Sequence, residues 1–397
     1  MFPNFYHLFK DLFGLEIPGL VFINTFGFFV AVSFLVTSWV MAQELKRKEK
    51  EGHLAPMMVK TTLGEMPGLS EYFFSGLVAF VFGWKFIYLI INSSEFFSDP
   101  QSHILSMEGS LFWGLLLAAI STAFTFYQGK KIKKKYPEPK EVENPVHPYE
   151  RMGTITLYAA VAGLLGAKIF DHMEHWDQFI ANPLGAFLDP FSGLTFYGGL
   201  ICGGAAVLIY ANSVKINWRH MLDVGGPAMM LAYGIGRIGC HMSGDGDWGI
   251  VNKLSNPGWL PDWLWAYTYP NNVANICDPE TGMRCAEGVR PLLSSPVWPT
   301  PLYEAILGVL LFAFLWKIRK RFKVPGVLFC IYLILVGFER FWIEKIRVNA
   351  IYEIAGMEIT QAELISVGMM LLGAFGWWYF VRDSKKGKVG EKIKTEM

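Results

Sequence analysis

The chain has 397 residues, of which 52% are hydrophobic and 17% charged, and its formal net charge is +1. Soluble chains of this length divide into two or three domains and carry more charge. Composition therefore points away from a soluble enzyme, and the near-neutral balance gives no sign of nucleic-acid binding.

The amino end, MFPNFYHLFKDLFGLEIPG, has no basic n-region and no small-residue cleavage site. It predicts an outside amphipathic segment ahead of the first span. Nine apolar blocks follow, at 21–41, 72–91, 111–127, 155–170, 194–211, 224–238, 303–316, 327–341 and 362–381. Each approaches the length that crosses a hydrocarbon core. Basic runs follow the odd-numbered blocks: ELKRKEKEGH, GKKIKKKYPEPK, KINWRH, KIRKRFK and SKKGKVGEKIK. Lysine and arginine collect on the cytoplasmic side, so the N-terminus is expected outside and the C-terminus in the cytoplasm, which requires an odd number of spans. The predicted fold class is an all-α polytopic membrane protein of about nine transmembrane helices, with a long periplasmic loop at 240–301.

Two stretches in this order resemble each other. FGWKFIYLIINSSEFFSDP, from Phe82, aligns without a gap to LGAKIFDHMEHWDQFIANP, from Leu165, so that Gly83 matches Gly166, Lys85 matches Lys168, Phe96 matches Phe179 and Pro100 matches Pro183. After one inserted residue GSLFWGLL matches GLTFYGGL. The pattern predicts a tandem two-span hairpin. In the second copy His172 and His175 replace Leu89 and Asn92, and Tyr197 replaces Trp113. Polar groups near a membrane are costly when unsatisfied, which assigns a task to the second copy and a structural role to the first.

Charge inside the apolar blocks marks the candidate site. Arg237 ends the sixth block, in GRIGCHMSGDGDWG, and Arg340 ends the eighth, in GFERFWIEKIR. Arg340, Glu344 and Arg347 fall at i, i+4 and i+7, close to one helical face, where Glu344 can hold either arginine. A boundary arginine can simply snorkel. Two at matching depth beside a glycine-rich loop favour a phosphate site, because guanidinium is a planar fork that stays charged. Glycines such as Gly244 and Gly249 let backbone N–H groups approach an anion. Asp245 and Asp247 suit a base, a cation site or a solvated turn. The ligands of a calcium loop are missing downstream, and zinc at His172, Glu174 and His175 is disfavoured against interfacial hydrogen bonding; no metal or cofactor is expected. Cys277 and Cys285 can form a disulfide in an oxidising compartment or remain thiols.

With these residues assembled, the chain resembles the prolipoprotein diacylglyceryl transferase family. The family's G-R-x-G-N-F-x-N-G-E-x-x-G signature is matched at Gly236, Arg237, Gly239, Gly244 and, after one inserted residue, Gly249. Its S-F-H-G-G-L stretch appears as TFYGGL from Thr195, its H-P-S-Q-L-Y-E as WPTPLYE ending at Glu304, and its R-F-x-x-E-x-x-R as RFWIEKIR from Arg340. Its first-span W-Y-G is TFG, which puts Phe26 in the place of the tyrosine. The resemblance implies transfer of the diacylglyceryl group of phosphatidylglycerol to the lipobox cysteine of a preprolipoprotein, at the outer face of the bacterial inner membrane. Arg237 and Arg340 would then hold the lipid phosphate with Gly244 and Gly249. Glu304, Glu344, Arg347 and Lys168 would support them.

This chain departs from the family at several of these positions. Tyr197 stands where the family has its histidine, Cys240 and Ser243 replace the two signature asparagines, and Asp245 replaces the glutamate. Tyrosine titrates near ~10 and is a poor base at neutral pH, although it orients partners by hydrogen bonding. Asp245, His241 and His172 remain alternatives for the base. The expected organisation is an N-terminal segment and first span (1–43), an inserted duplicated hairpin (44–152) and a transferase-like core (153–397). Other functions in view are a related transferase with another donor or acceptor and a non-catalytic lipid-binding scaffold.

Overall fold

A segment surrounded by hydrocarbon has to satisfy its own backbone N–H and C=O groups, and a helix does so within itself. In the computed structural model all nine apolar blocks lie in or largely within helices, described over residues 1–92, 108–138, 140–181, 195–349, 351–354 and 356–395. The amino end forms α1 (Phe5–Phe13), which Asn4 caps by accepting from the His7 N–H and which a left-handed Gly14 closes. The remaining helices are α2 (Thr25–Lys50), α3 (Leu69–Phe82, running on through a π-helical Gly83–Ile87), α4 (Leu111–Lys135), α5 (Met152–Glu174), α6 (Trp176–Ala181), α7 (Phe196–Ser213), α8 (Trp218–Ser243), α9 (Asp262–Trp265), α10 (Thr300–Ile318), α11 (Val327–Glu344) and α12 (Gln361–Thr395).

Among the described residues seven helices are long and apolar enough to cross a membrane: α2, α3 with its continuation, α4, α5, α7, α10 and α12. The chain is a multi-pass helical membrane protein. The two other predicted spans, α8 and α11, are helical as well but carry the charges on which the site is built, Arg237 on one and Glu339, Arg340 and Glu344 on the other. The all-α expectation omits three two-stranded antiparallel ribbons. These are β1 (Met57–Leu63) with β2 (Lys140–Val146), β3 (Ile276–Asp278) with β4 (Met283–Arg284), and β5 (Ile351–Ile354) with β6 (Met357–Thr360). The β3–β4 hairpin is closed by a disulfide between Cys277 and Cys285, which decides between the two sequence-level alternatives.

The chain divides into two compact units. The first comprises Met1–Leu54, Pro148–Tyr158 and Ala205–Met397. Within it small residues let helices cross closely, as in membrane bundles generally. A Cβ on Gly308 would lie 2.8 Å from the Gly234 Cα, so α8 and α10 touch backbone to backbone. Likewise a Cβ on Gly337 or Gly373 would meet the Ser366 or Cys330 carbonyl at 2.7 Å, bringing α11 against α12. The start of α11 is fixed by Asp223 of α8, whose carboxylate accepts from the backbone N–H groups of Gly326 (2.9 Å) and Phe329 (3.1 Å). These contacts set the register of α8, α10 and α11, the three elements that carry the charged cluster.

The second unit comprises Ala55–His147 and Ala159–Gly204, and contains both hairpin copies. They share details that composition alone would not produce. A Cβ on Gly83 would meet the Trp113 carbonyl at 2.4 Å, and one on Gly166 the Gly198 carbonyl at 2.5 Å. The next residue accepts from the returning chain in both copies, Ser110 N–H to Trp84 O (2.8 Å) and Thr195 N–H to Ala167 O (3.1 Å). Lys85 and Lys168 follow, and both are buried. Phe96, Pro100 and Pro183, also used in the alignment, lie outside the described residues.

Candidate active site

The Gly234–Gly308 crossing determines what Arg237 can reach. One helical turn beyond Gly234 lies Arg237, and one turn before Gly308 lies Glu304. Arg237 Nε sits 3.1 Å from Glu304 Oε2. Arg340 Nη1 approaches Glu304 Oε1 at 3.1 Å, and Arg347 Nη1 lies 3.4 Å from both carboxylate oxygens. Glu304 is completely buried, so one carboxylate binds three guanidinium groups out of solvent. Arg340 also pairs with Glu344 at 2.8 Å, as the i, i+4 spacing predicts, and Glu344 accepts from Asn349 Nδ2 at 2.6 Å. Asp247 pairs with Arg237 and, at 3.0 Å, with Arg347. Arg237 and Arg340 keep 18% and 25% of their side chains exposed against 9% for Arg347, which makes them the approachable edge of the cluster.

Arg347 does not occupy the helical position its spacing suggested. Helix α11 ends at Glu344, and Arg347 lies beyond it in an isolated antiparallel bridge with Gly249. The Ile346 carbonyl turns out of the helix to accept the Ile250 N–H at 2.9 Å, which swings Arg347 towards Asp247 and Glu304. A Cβ on Gly249 would fall 2.2 Å from that Ile346 carbonyl oxygen and 3.0 Å from Thr300 and Trp298. Gly249→Ala should therefore push the two strands of the bridge apart and cost about 1–3 kcal/mol, read as a lowered thermal midpoint of purified protein. A midpoint equal to wild type would show that the bridge yields freely.

The glycine-rich loop serves as a frame for these pairs. Gly244 (φ 66°) is the left-handed cap of α8, its N–H donating to Cys240 O at 2.9 Å, and Gly246 (φ 104°) allows the next turn. The Gly249 N–H donates to Trp298 O at 2.9 Å. The N–H groups of Gly244 and Gly249 are thus engaged by protein carbonyls, whereas the sequence had suggested they face an anion. Asp245 accepts from the Asp247 N–H at 3.2 Å, and Thr300 Oγ1 donates to the Asp247 carbonyl at 2.9 Å. Burial, and then the neighbouring Asp247, push the Asp245 carboxyl above its ordinary range. Burial also acts upward on Asp247, but Arg237 and Arg347 outweigh it and hold that carboxyl below the ordinary value.

Cys240 is buried with its Sγ 3.8 Å from Arg237 Nη1, and Ser243 Oγ donates to the Cys240 carbonyl at 3.3 Å. Sulfur and carboxylate atoms of Cys240, Asp245 and Asp247 lie within 4.8 Å of one another. Asp247 is already matched by two guanidinium groups, an arrangement suited to ion pairing. Phe26, at the start of α2, packs where Gly239 leaves room, a Cβ there meeting its Cα at 3.4 Å. Two residues not singled out from sequence also belong to the cluster. Tyr233 lies beneath Arg237, with the guanidinium 5.4 Å from its ring and its hydroxyl donating to Glu339 at 3.3 Å. Thr300 is fully buried. Each stands four residues before a cluster member, Tyr233 before Arg237 and Thr300 before Glu304, and that i, i+4 spacing was the available signal.

The second unit holds Tyr197, Lys168 and the histidines. Tyr197 is at the first turn of α7 and partly exposed, and Lys168 is buried on α5. His175 Nδ1 lies 3.2 Å from Asp171 Oδ1, Glu174 accepts from Thr195 Oγ1 at 3.1 Å, and His172 stacks on Phe179 with ring centroids 4.8 Å apart. These polar groups pair locally through hydrogen bonds and ring contacts.

Residues 134–379 match the sequence model of the family described as prolipoprotein diacylglyceryl transferase. The chain is similar to the phosphatidylglycerol–prolipoprotein diacylglyceryl transferase of Leptospira interrogans, at 29% identity over 287 residues, 60% of this chain and 82% of the relative. Proteins of the same description from Dehalococcoides mccartyi (29% over 244 residues, 62% of this chain and 81% of the relative) and Corynebacterium glutamicum (30% over 207 residues, 51% and 61%) are also similar.

Proposed function

The chain belongs to the prolipoprotein diacylglyceryl transferase family, and from that premise we propose how its residues serve the reaction. The enzyme transfers the diacylglyceryl group of phosphatidylglycerol to the lipobox cysteine thiol of preprolipoproteins. The bond from the glyceryl carbon to a phosphate oxygen breaks, a carbon–sulfur bond forms, the thiol proton passes to a base, and glycerol phosphate leaves with the bonding electrons. The reaction takes place at the outer face of the bacterial inner membrane. An oxidising exterior suits the disulfide in the 240–301 loop, and the basic alternate loops support the same orientation.

The observation that carries the site assignment is the pair of partly exposed guanidinium groups, Arg237 and Arg340, held on the buried Glu304. A leaving phosphate gains charge as the bond breaks, and preorganised cations stabilise that charge without reorganising. Both arginines are fixed before substrate arrives, because Glu304, Glu344 and Asp247 hold their remaining N–H groups. Gly244 and Gly249 shape the loop around the phosphate, Arg347 braces Glu304, and Cys240, Ser243 and Phe26 pack the arginine's helix. The function is tested by depleting a bacterium of its own transferase and supplying this chain. Restored growth, with phosphatidylglycerol-dependent lipidation of a lipobox peptide in vitro, is the expected result. Failure of both overturns the reading.

Asp245 is assigned as the base that takes the thiol proton. Its carboxyl is raised by burial and then by Asp247, which makes it a stronger base than an ordinary aspartate. The active form is the carboxylate, so activity is present above its folded pKa and falls as pH drops through it, at a pH above the ordinary aspartate range. Asp245→Asn should lower kcat by about 10²–10⁴-fold and abolish that acid limb. An unchanged pH profile in the variant would remove Asp245 from this role.

A further inference from the structure

Beside the arginine cluster, on the other side of the segment that carries Glu304, the first unit has an apolar groove of about 370 Å³. Leu260, Leu264, Trp265 and Trp298 line it from the 240–301 loop and α9, and Tyr303 and Leu307 from the start of α10. Its polar side-chain donors are engaged within the protein. Tyr303 Oη donates to Leu264 O at 2.6 Å and Trp265 Nε1 to Leu254 O at 3.0 Å. The groove runs onto Ile306 and Leu307, which on α10, a helix long and apolar enough to cross a membrane, are followed by the exposed Leu310. The groove is therefore continuous with a helix surface that faces lipid. Trp259 and Trp263, next in sequence to the lining residues Leu260 and Leu264, are both exposed, and exposed aromatics of this kind favour a membrane interface.

We propose that this groove holds an acyl chain of the phospholipid donor, a role that rests on the function given above. Polarity selects a hydrocarbon chain over the apolar segment of the acceptor peptide. An extended peptide would bring N–H and C=O groups into a wall whose tyrosine and Trp265 donors are already engaged. An acyl chain is narrower, has nothing to hydrogen-bond, and reaches the groove by sliding along α10 from the bilayer. The same short segment links the groove to the cluster, because Trp298 accepts the Gly249 N–H and Thr300 donates to Asp247. A donor anchored by its chain in the groove is thereby restricted in where its phosphate can lie relative to Arg237 and Arg340.

The test uses the full-length protein in nanodiscs of phosphatidylethanolamine and phosphatidylglycerol, with a phosphatidylglycerol carrying a diazirine midway along one acyl chain. Illumination should label peptides containing Leu264 and Leu307, and Leu307→Trp, which fills the groove, should suppress that labelling at least about fivefold. The same substitution, and independently Ile306→Trp, should raise the KM for dipalmitoyl phosphatidylglycerol roughly tenfold, the worth of about two methylenes withdrawn from apolar surroundings. kcat, the KM for the acceptor peptide, and the KM for a dihexanoyl donor should stay within about twofold. Labelling that misses the groove, an equal rise for short and long donors, or a rise for the peptide instead would each overturn the proposal, the last by assigning the groove to the acceptor. Labelling does not depend on turnover. Loss of all transfer in the wild-type chain would therefore strike the proposed function while leaving groove occupancy separately readable.

Discussion

Arg237→Ala and Arg340→Ala are each expected to reduce kcat for diacylglyceryl transfer by about 10²–10³-fold, as removing one preorganised donor to a developing anion does elsewhere. The donor's KM should change less, because charge on the phosphate oxygen grows mainly as the carbon–oxygen bond breaks. Lysine is not an adequate substitute. Arg340 spans two carboxylates at once, Glu304 through Nη1 at 3.1 Å and Glu344 through Nη2 at 2.8 Å, and a single ammonium cannot bridge them in the same geometry while still facing a phosphate. Arg340→Lys should therefore stay within about tenfold of the alanine variant in kcat. Initial rates of peptide lipidation, on protein whose thermal midpoint has been matched to wild type, provide the measurement. Near-wild-type kcat in either alanine variant would sever the link between this cluster and the departing phosphate.

The distinction between what the sequence revealed and what it hid follows the range of each interaction. Hydrocarbon imposes its demands locally, so blocks of apolar residues and the lysine bias between them sufficed to predict a polytopic helical chain. The repeated Gly-x-Lys was legible because two copies of one packing solution keep the same small residue at the same crossing, Gly83 on Trp113 and Gly166 on Gly198. Arg237, Arg340 and Glu344 announced themselves because charge in an apolar run is expensive and has to be matched. The hub of the cluster was harder to see. Glu304 opens an ordinary apolar helix, and only the Gly234–Gly308 crossing, a tertiary event, sets it against three arginines. Helical periodicity failed at Arg347 for a related reason. Nothing local marks where α11 stops, since the stop is made by the Ile346 carbonyl turning to a strand from the distant glycine loop. That loop is also where this chain's chemistry differs most from the family signature. Asp247 lies just past the signature's acidic position, and it is this second aspartate that joins Arg237 to Arg347.

Glu304→Ala should damage the fold more than any substitution at the arginines. Removing one member of a buried ionic group costs about 3–5 kcal/mol, because the partners stay buried without compensation. Here a single deletion leaves three guanidinium groups facing one another around the space of a carboxylate that was fully enclosed. Asp247 and Glu344 still neutralise part of that charge, yet neither lies between Arg237 and Arg340. The expected outcome is a lowered thermal midpoint and loss of activity together. Glu304→Gln keeps the shape and one acceptor oxygen and should fall between wild type and alanine. The origin of the loss separates in a double-mutant comparison. If repulsion among the arginines is responsible, adding Arg347→Met to Glu304→Gln should recover stability, since the second change removes a charge that the first left unmatched. Additive losses in the double variant would instead mean that Glu304 acts mainly through packing. Stability and catalysis would then be separable at this residue, and the arginines would owe their positions to the helices alone.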